Sequence, residues 1–136
     1  DCPPSLSLLT IMALVASDAL VVPLQTEFFA LEGLTQLMKT IDRIKSNLNP
    51  SLEIRGILLT MFDKRNKLSG QVEIEARNYF KEKVYTTAVP RNVRLSEAPS
   101  HGIPVLLYDS VCPGSKAYFK FTEEFLEQDS KVVSAA

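Results

Sequence analysis

Four short apolar runs alternate with segments of helical periodicity along this chain, and the alternation restricts the fold more than any other feature. The first two runs, Ala19–Leu24 and Ile54–Met61, are almost continuously apolar, as expected of strands covered on both faces. The other two are Val84–Val89 and Val105–Tyr108. The order of helices and strands predicts an α/β fold, namely part of a doubly wound, mainly parallel sheet with helices on both faces.

The helical segments are recognised by apolar residues at spacings of three and four. The clearest stripe consists of Leu34, Leu37, Met38, Ile41, Ile44 and Leu48. A first helix is predicted over about Leu6–Ala16, Ser69 is the predicted N-cap of a later helix, and a last helix is predicted to begin near Ser115. We expect a single domain over residues 1–128 and a flexible tail over residues 129–136.

Composition excludes several classes of protein. Hydrophobic residues make up 46% and charged residues 23%, which is ordinary for a globular domain. The two cysteines, Cys2 and Cys112, are far apart and outside any C-x-x-C motif, so neither a disulfide framework nor a zinc site is expected. Free thiols fit a reducing cytoplasm. The longest apolar stretches are too short to span a bilayer, so no membrane partner is expected.

Charge is distributed unevenly although the net charge is only −1. The segment Met61–Arg94 holds eight basic and four acidic residues, so its net charge is +4 and that of the remainder is −5. Such an asymmetry suits an anionic partner, and it equally suits a solvated surface whose charges happen to segregate.

Three loops at predicted strand ends carry the candidate chemistry, because ligands of open α/β sheets bind outside the carboxyl ends of the strands. They are Asp1–Ser5, Thr60–Asn66 and Pro90–Ser100. In the first, an acidic residue followed by Pro-Pro suits a strand end that delivers a carboxylate to a magnesium–phosphate centre. His101, the only histidine, has no recognisable catalytic partner and is expected to be a surface or hydrogen-bonding residue.

Four segments together carry a family resemblance. In chain order they read DCPPSLSLLT, ALVVPLQTEFFALEGLTQL, GILLTMFDKRN and VPRNVRLSEAPSHGIPVLLYD. They resemble the C-terminal portion of the ParA/Soj family, the chromosome- and plasmid-partitioning ATPases of the deviant Walker A, MinD-like superfamily. The resemblance runs from Asp1 to about Gln128. It implies a P-loop NTPase-like fold that lacks its N-terminal P-loop strand, and therefore a sheet with an unpaired edge.

The resemblance also implies roles for individual residues. Asp1 matches the Walker B aspartate, which holds Mg²⁺ through water. The residues on the adenine side of an ATP site would be Thr60, Met61, Pro90, Arg91 and Asn92. The residues facing non-specific DNA would be Lys64, Arg65, Lys81, Lys83, Arg91 and Arg94.

The implied cofactors are ATP and Mg²⁺, and the implied partners are a second copy of the chain, a ParB-like protein and non-specific DNA, in the cytoplasm at the nucleoid. The family places Gln25–Gly33 near the dimer face. We nevertheless predict that at least one of Phe28 and Phe29 is a core residue, because aromatic residues at a helix start usually pack.

The chain departs from the family pattern in one large respect. It has no Lys-Gly-Gly-x-Gly-Lys-Thr stretch, and its five glycines do not cluster. We therefore expect an incomplete or processed product with no catalytic residue of its own, which neither binds nucleotide nor hydrolyses ATP alone. A non-enzymatic interaction fragment or the remnant of a split gene is an alternative. A MinD-like cell-division ATPase ranks lower, since residues 129–136 offer no basic amphipathic helix.

Overall fold

The computed structural model describes residues 7–133, the last five of them by their backbone alone. This part of the chain contains three strands, β1 (Ala19–Gln25), β2 (Glu53–Phe62) and β3 (Val84–Pro90). The helices are α1 (Leu8–Ala16), α2 (Ala30–Asn47), α3 (Lys67–Phe80), α4 (Val93–Glu97), α5 (Val105–Tyr108) and α6 (Pro113–Val133). Short 3₁₀ turns cover Lys81–Lys83 and Ala98–His101. None of these helices is long and apolar enough to cross a membrane.

The three strands form one parallel sheet in the order β1-β2-β3. Val22 pairs with Ile57, and Ile57 pairs in turn with Val84. Parallel neighbours need a crossover connection, which α2 and α3 supply. Within residues 7–133, β1 and β3 each pair on one side only, so the sheet has two outer edges.

Side chains of β2 point alternately to two covered faces. Ile57 and Leu59 belong to a buried cluster that includes Leu34 of α2 and Ala76 of α3. Leu58, between them, belongs to another cluster with Tyr85 and Val89, against which α6 packs Tyr118, Phe121 and Phe125. Helices therefore cover both faces of the sheet, which confirms the predicted doubly wound α/β class.

A third buried cluster attaches α1 to α2 through Leu14, Ile41 and Ile44. Asn49 fixes the end of α1, because its amide Nδ2 donates to the carbonyls of Leu14 (3.1 Å), Val15 (3.2 Å) and Ser17 (2.8 Å). The sequence motif Asn49-Pro50 therefore does more than end α2. It also satisfies carbonyl groups that the last turn of α1 leaves without helical partners.

The predicted strand Val105–Tyr108 is wrong, since these residues form the short helix α5. The carbonyl of Pro104 accepts from the N–H of Tyr108 (3.0 Å), and the carbonyl of Val105 accepts from that of Asp109 (2.8 Å). A run of four apolar residues is too short for periodicity to distinguish a strand from a single turn of helix.

The predicted N-cap at Ser69 is also wrong. The side chain of Asn66 caps α3 by accepting from the N–H of Leu68 at 3.0 Å. Ser69 lies inside the helix, where its buried hydroxyl contacts Thr26 instead. The last helix begins at Pro113, close to the predicted Ser115, and continues to Val133 into the segment predicted as a tail.

Neither Phe28 nor Phe29 is a core residue, contrary to prediction. Their side chains are 74% and 71% exposed, and the two rings pack edge to face on each other with centroids 5.0 Å apart. Both precede the first residue of α2, whose own inward-facing residues begin with the partly buried Ala30 and Leu31. The buried position in the preceding turn is taken by Thr26.

Candidate functional site

The loops that follow β2 and β3 meet at the carboxyl edge of the sheet. Phe62, the last residue of β2, pairs with Pro90, the last residue of β3. The N–H of Arg91 then donates to the carbonyl of Phe62 at 3.0 Å, which extends the pairing by one residue into the loops. The sequence segments Thr60–Asn66 and Pro90–Ser100 are therefore neighbours in space.

Thr26, just beyond the end of β1, joins the loop between β1 and α2 to the same edge. Its N–H donates to the carbonyl of Thr60 at 3.0 Å, and its hydroxyl lies 3.3 Å from the carbonyls of Thr60 and Met61 and from the hydroxyl of Ser69. Thr26 and Ser69 are both fully buried. Met61 takes the left-handed conformation with φ of 54°, which is uncommon for a residue with a side chain.

The five residues predicted for the adenine side therefore lie in two adjacent loops. Thr60, Met61, Pro90 and Asn92 are half-buried, and Arg91 is exposed. The side chain of Asn92 caps α4 by accepting from the N–H of Arg94 at 2.9 Å. Backbone carbonyls and the flat or apolar surfaces of such loops suit a planar base, so this arrangement is compatible with the adenine-side role, which stays a prediction.

The described residues do not fit the phosphate half. No glycine-rich loop occurs in the sequence. Among the described residues, no three His, Cys, Asp or Glu side chains are grouped so that they could hold a metal ion. Asp1, the predicted magnesium residue, lies outside the described part of the chain.

Four of the six basic residues predicted to face DNA lie on these two loops. Lys64 and Arg65 follow β2, and Arg91 and Arg94 follow β3. The Arg65 side chain is 91% exposed and bonds to Asp63 through Nε and Nη2, both at 3.2 Å. The hydrogen bonds from the side chain and backbone of Arg65, with a smaller effect of the positive charge of Arg91, lower the pKa of Asp63.

Arg94 lines an open depression of about 610 Å³ together with Arg91, Glu97 and Asp109. Its Nη1 lies 2.8 Å from Oε2 of Glu97, and its Nε lies 3.4 Å from Oδ2 of Asp109. The bond from Arg94 lowers the pKa of Glu97. Arg91 therefore lies near enough to Asp63 to affect its pKa, and it also lines the depression around Arg94.

The other two predicted DNA residues are elsewhere. Lys81 and Lys83 lie in the 3₁₀ turn before β3 starts, whereas Arg91 follows the residue at which β3 ends. A strand of this length spans roughly 20 Å. The structure thus places the six basic residues in two groups at opposite ends of β3.

Sequence reasoning missed the residues that organise this edge. The contact between Thr26 and Ser69 could not be foreseen, because it joins positions far apart in the chain. Glu97 and Asp109 lie inside segments that carried the family resemblance, but nothing in the sequence showed that they pair with Arg94. His101, expected to be a surface or hydrogen-bonding residue, is exposed and stacks on the ring of Tyr108 with centroids 5.0 Å apart.

The chain is similar to known proteins over nearly its whole length. A family model of the AAA domain matches residues 1–54. The chromosome partitioning protein ParA of Caulobacter vibrioides is 60% identical over 129 residues, which cover 95% of this chain and 48% of that protein. The sporulation initiation inhibitor protein Soj of Bacillus subtilis is 55% identical over 124 residues, which cover 91% of this chain and 49% of that protein.

Solved structures show the same fold. Cobyrinic acid a,c-diamide synthase from Mycobacterium smegmatis, with bound ADP and magnesium, matches with a TM-score of 0.72 and 29% identity over 96% of this chain and 46% of that one. This chain spans about half the length of the curated relatives that it matches. By its sequence and fold, the chain belongs to the ParA/Soj family.

Proposed function

We propose that this chain is the C-terminal portion of a ParA-type partitioning ATPase and that the carboxyl edge of its sheet faces both nucleotide and DNA. The observation that carries the proposal is the junction of two loops, made by the bond from the Arg91 N–H to the Phe62 carbonyl at 3.0 Å. This junction sets the adenine-side residues beside the exposed arginines. The similarity to the chromosome partitioning protein ParA, at 60% identity, and to the protein Soj, at 55% identity, supports the assignment.

The adenine role rests on backbone groups. The Met61 carbonyl accepts from the Thr26 hydroxyl at 3.3 Å and has a second lone pair that would accept from the amino group of the base. The half-buried Thr60, Pro90 and Asn92 would enclose the plane of the base. Mg²⁺ would be held by Asp1 through water, together with groups outside this chain. When bound, ATP with Mg²⁺ supplies the phosphoryl group whose hydrolysis a ParB-like partner would stimulate in a dimer at the nucleoid.

The DNA role rests on Lys64, Arg65, Arg91 and Arg94. All four follow strands at the same edge, and the arginine side chains are exposed. Guanidinium and ammonium groups on loops suit phosphate oxygens, and they carry no information on base sequence. We therefore propose non-specific binding whose affinity falls steeply with salt, because each phosphate contact releases counterions.

Fluorescence anisotropy with a short labelled duplex tests this proposal. We expect binding that weakens strongly between about 50 mM and 200 mM salt. The double variant Arg65→Ala/Arg94→Ala should weaken binding and flatten its salt dependence. The matched control Lys81→Ala/Lys83→Ala removes the same charge from the other end of β3 and should have a smaller effect. Equal losses in the two variants would mean that general charge, and not this edge, binds the duplex.

A further inference from the structure

We propose that Glu97 and Asp109 act as counter-ions of Arg94 and thereby lower the affinity of this edge of the sheet for DNA phosphates. The inference rests on the DNA role proposed above and adds a control of its strength. Arg65 pairs with one carboxylate, that of Asp63, whereas Arg94 lies between two.

The guanidinium of Arg94 is reachable although it is paired. Its side chain is 51% exposed, so a phosphate can approach it from solvent. The carboxylate of Glu97 accepts from Nη1 of Arg94, and the carboxylate of Asp109 lies nearest its Nε. The exposed half of the side chain leaves room for a phosphate oxygen to approach the guanidinium while both carboxylates stay in place.

Both carboxylates are held in place by other groups. The hydroxyl of Tyr108 lies 3.3 Å from Oε2 of Glu97, to which it can donate. Oδ1 of Asp109 accepts from the N–H groups of Val111 (3.2 Å) and Cys112 (3.1 Å), which leaves Oδ2 toward Arg94. An ordinary surface ion pair lets each partner swing into solvent, but these two carboxylates would have to break further bonds to do so.

The charges that line the depression cancel. Arg91 and Arg94 contribute two positive charges, and Glu97 and Asp109 contribute two negative ones. A phosphate bound at Arg94 would therefore lie within several ångströms of two fixed carboxylates. At that range, in the high dielectric of a surface, one like charge weakens binding by about three- to tenfold.

A different role for the same geometry predicts the opposite change in DNA affinity. Were the carboxylates there to orient Arg94 for phosphate, neutralising one of them would loosen the guanidinium and weaken binding. The cancelled charge of the depression favours the first role. Glu97→Gln is the most direct variant, because it keeps the size of the side chain and an oxygen that can accept from Tyr108.

The experiment compares duplex binding by the natural chain, Glu97→Gln and the charge-matched control Glu75→Gln, whose position on α3 is exposed and away from the depression. We expect Glu97→Gln to tighten binding about three- to tenfold and to steepen its salt dependence, and Glu75→Gln to change it less than about twofold. The gain should disappear in Glu97→Gln/Arg94→Ala. Asp109→Asn, which keeps an acceptor at Oδ1, should repeat the gain. Circular dichroism of each variant checks that it is folded.

Unchanged or weaker binding by a folded Glu97→Gln overturns the inference but leaves the DNA role standing. Binding of the natural chain that does not depend on Arg65 and Arg94 overturns the DNA role itself. If neither the natural chain nor Glu97→Gln binds the duplex, both proposals fall. Binding that appears only in Glu97→Gln and requires Arg94 supports the inference.

Discussion

The ring of Tyr85 lies directly over Gly56: a Cβ added to Gly56 would come within 2.6 Å of Cζ and 2.9 Å of the hydroxyl oxygen of Tyr85. Gly56 is buried in the central strand β2, and Tyr85, in the neighbouring β3, is only 1% exposed. The ring packs edge to face on Phe121 of α6, with centroids 4.9 Å apart. Gly56 is therefore needed because a neighbouring side chain approaches the backbone too closely for any other residue.

Gly56→Ala should destabilise the chain by about 2–3 kcal/mol, since Tyr85 is enclosed by α6 and cannot move away. Urea unfolding followed by circular dichroism measures the effect. Gly70→Ala is the control, because Gly70 lies in α3 with nothing within 4 Å of an added Cβ. It should raise the unfolding free energy by up to about 1 kcal/mol. Equal destabilisation by both would show that the Tyr85 contact is not the cause.

The sequence predicted the layers of this fold better than its close contacts. The stripe from Leu34 to Ile44 and the apolar runs of the three strands were readable because periodicity reports which face is buried. Val105–Tyr108 failed because four residues are too few to show a period. The fit of Tyr85 over Gly56 was not readable either, since it depends on the register between two strands.

Glu124 of α6 closes part of the outer edge of β3. Its carboxylate accepts from the N–H of Thr86 at 2.6 Å and from that of Thr87 at 2.9 Å. Arg77 of α3 bonds to carbonyl groups of the same strand: its Nη1 donates to the carbonyl of Tyr85 at 3.1 Å. Partial burial disfavours the charged carboxylate, but the bonds from Thr86 and Thr87 outweigh it and lower the pKa of Glu124.

Glu124→Gln should lower the unfolding free energy at neutral pH by about 1–2 kcal/mol, because one acceptor oxygen becomes a donor. A lowered pKa in the folded state means that the charged carboxylate stabilises the fold above its unfolded pKa, about 4.3. This contribution is lost as the pH falls through the folded value. The difference between natural chain and variant, measured by urea unfolding, should thus be constant down to about pH 4.3 and shrink below it.

The exposed neighbour Glu123 provides the control for this prediction. Glu123→Gln removes the same charge from the same helix without touching β3, and it should change the unfolding free energy by less than about 0.5 kcal/mol. A pH-independent loss in Glu124→Gln would indicate altered packing, and would contradict the role assigned to the carboxylate.

Asn49→Asp should be among the most damaging single-atom changes in the chain. The amide Nδ2 of Asn49 donates to three carbonyls at the end of α1, and the residue is buried. An aspartate oxygen in this place would face those carbonyls without a proton, so we expect a loss of about 3 kcal/mol at pH 7. Thermal unfolding at pH 7 and at pH 3 distinguishes the causes, since protonation of the aspartate restores one donor and should recover part of the loss.

The parts of the candidate site that consist of consecutive residues could be predicted from the sequence. The parts that depend on contacts between distant residues could not. Thr60–Asn66 and Pro90–Ser100 stood out because strand ends of α/β sheets carry function. The contact of Thr26 with Ser69 and the pairing of Arg94 with Asp109 join residues whose distance only the folded chain sets. The separation of Lys81 and Lys83 from the arginines was likewise hidden, because charge along the sequence does not show which end of a strand a residue occupies.

Lys81→Gly should stabilise the chain although it removes a long side chain. Lys81, directly after the last residue of α3, has φ of 49° and ψ of −119°, a conformation that a residue with a Cβ rarely adopts. Glycine adopts it without strain, so the unfolding free energy should rise by about 1 kcal/mol. Lys81→Ala removes the same charge but keeps the Cβ, and should bring no such gain. A gain of the same size in both variants would assign the effect to charge and not to the backbone.

The chain of these 136 residues should not hydrolyse ATP. Positioning of the phosphates and the charge of Mg²⁺ supply most of the catalysis of phosphoryl transfer. The loops around Met61 and Arg91, which we propose for the adenine side, would contribute to neither, and the glycines of the sequence form no phosphate-binding loop. Phosphate release in the presence of Mg-ATP should therefore equal a buffer blank, with and without duplex DNA. Release that rises in proportion to the concentration of the chain, and persists through a further purification step, would contradict the prediction.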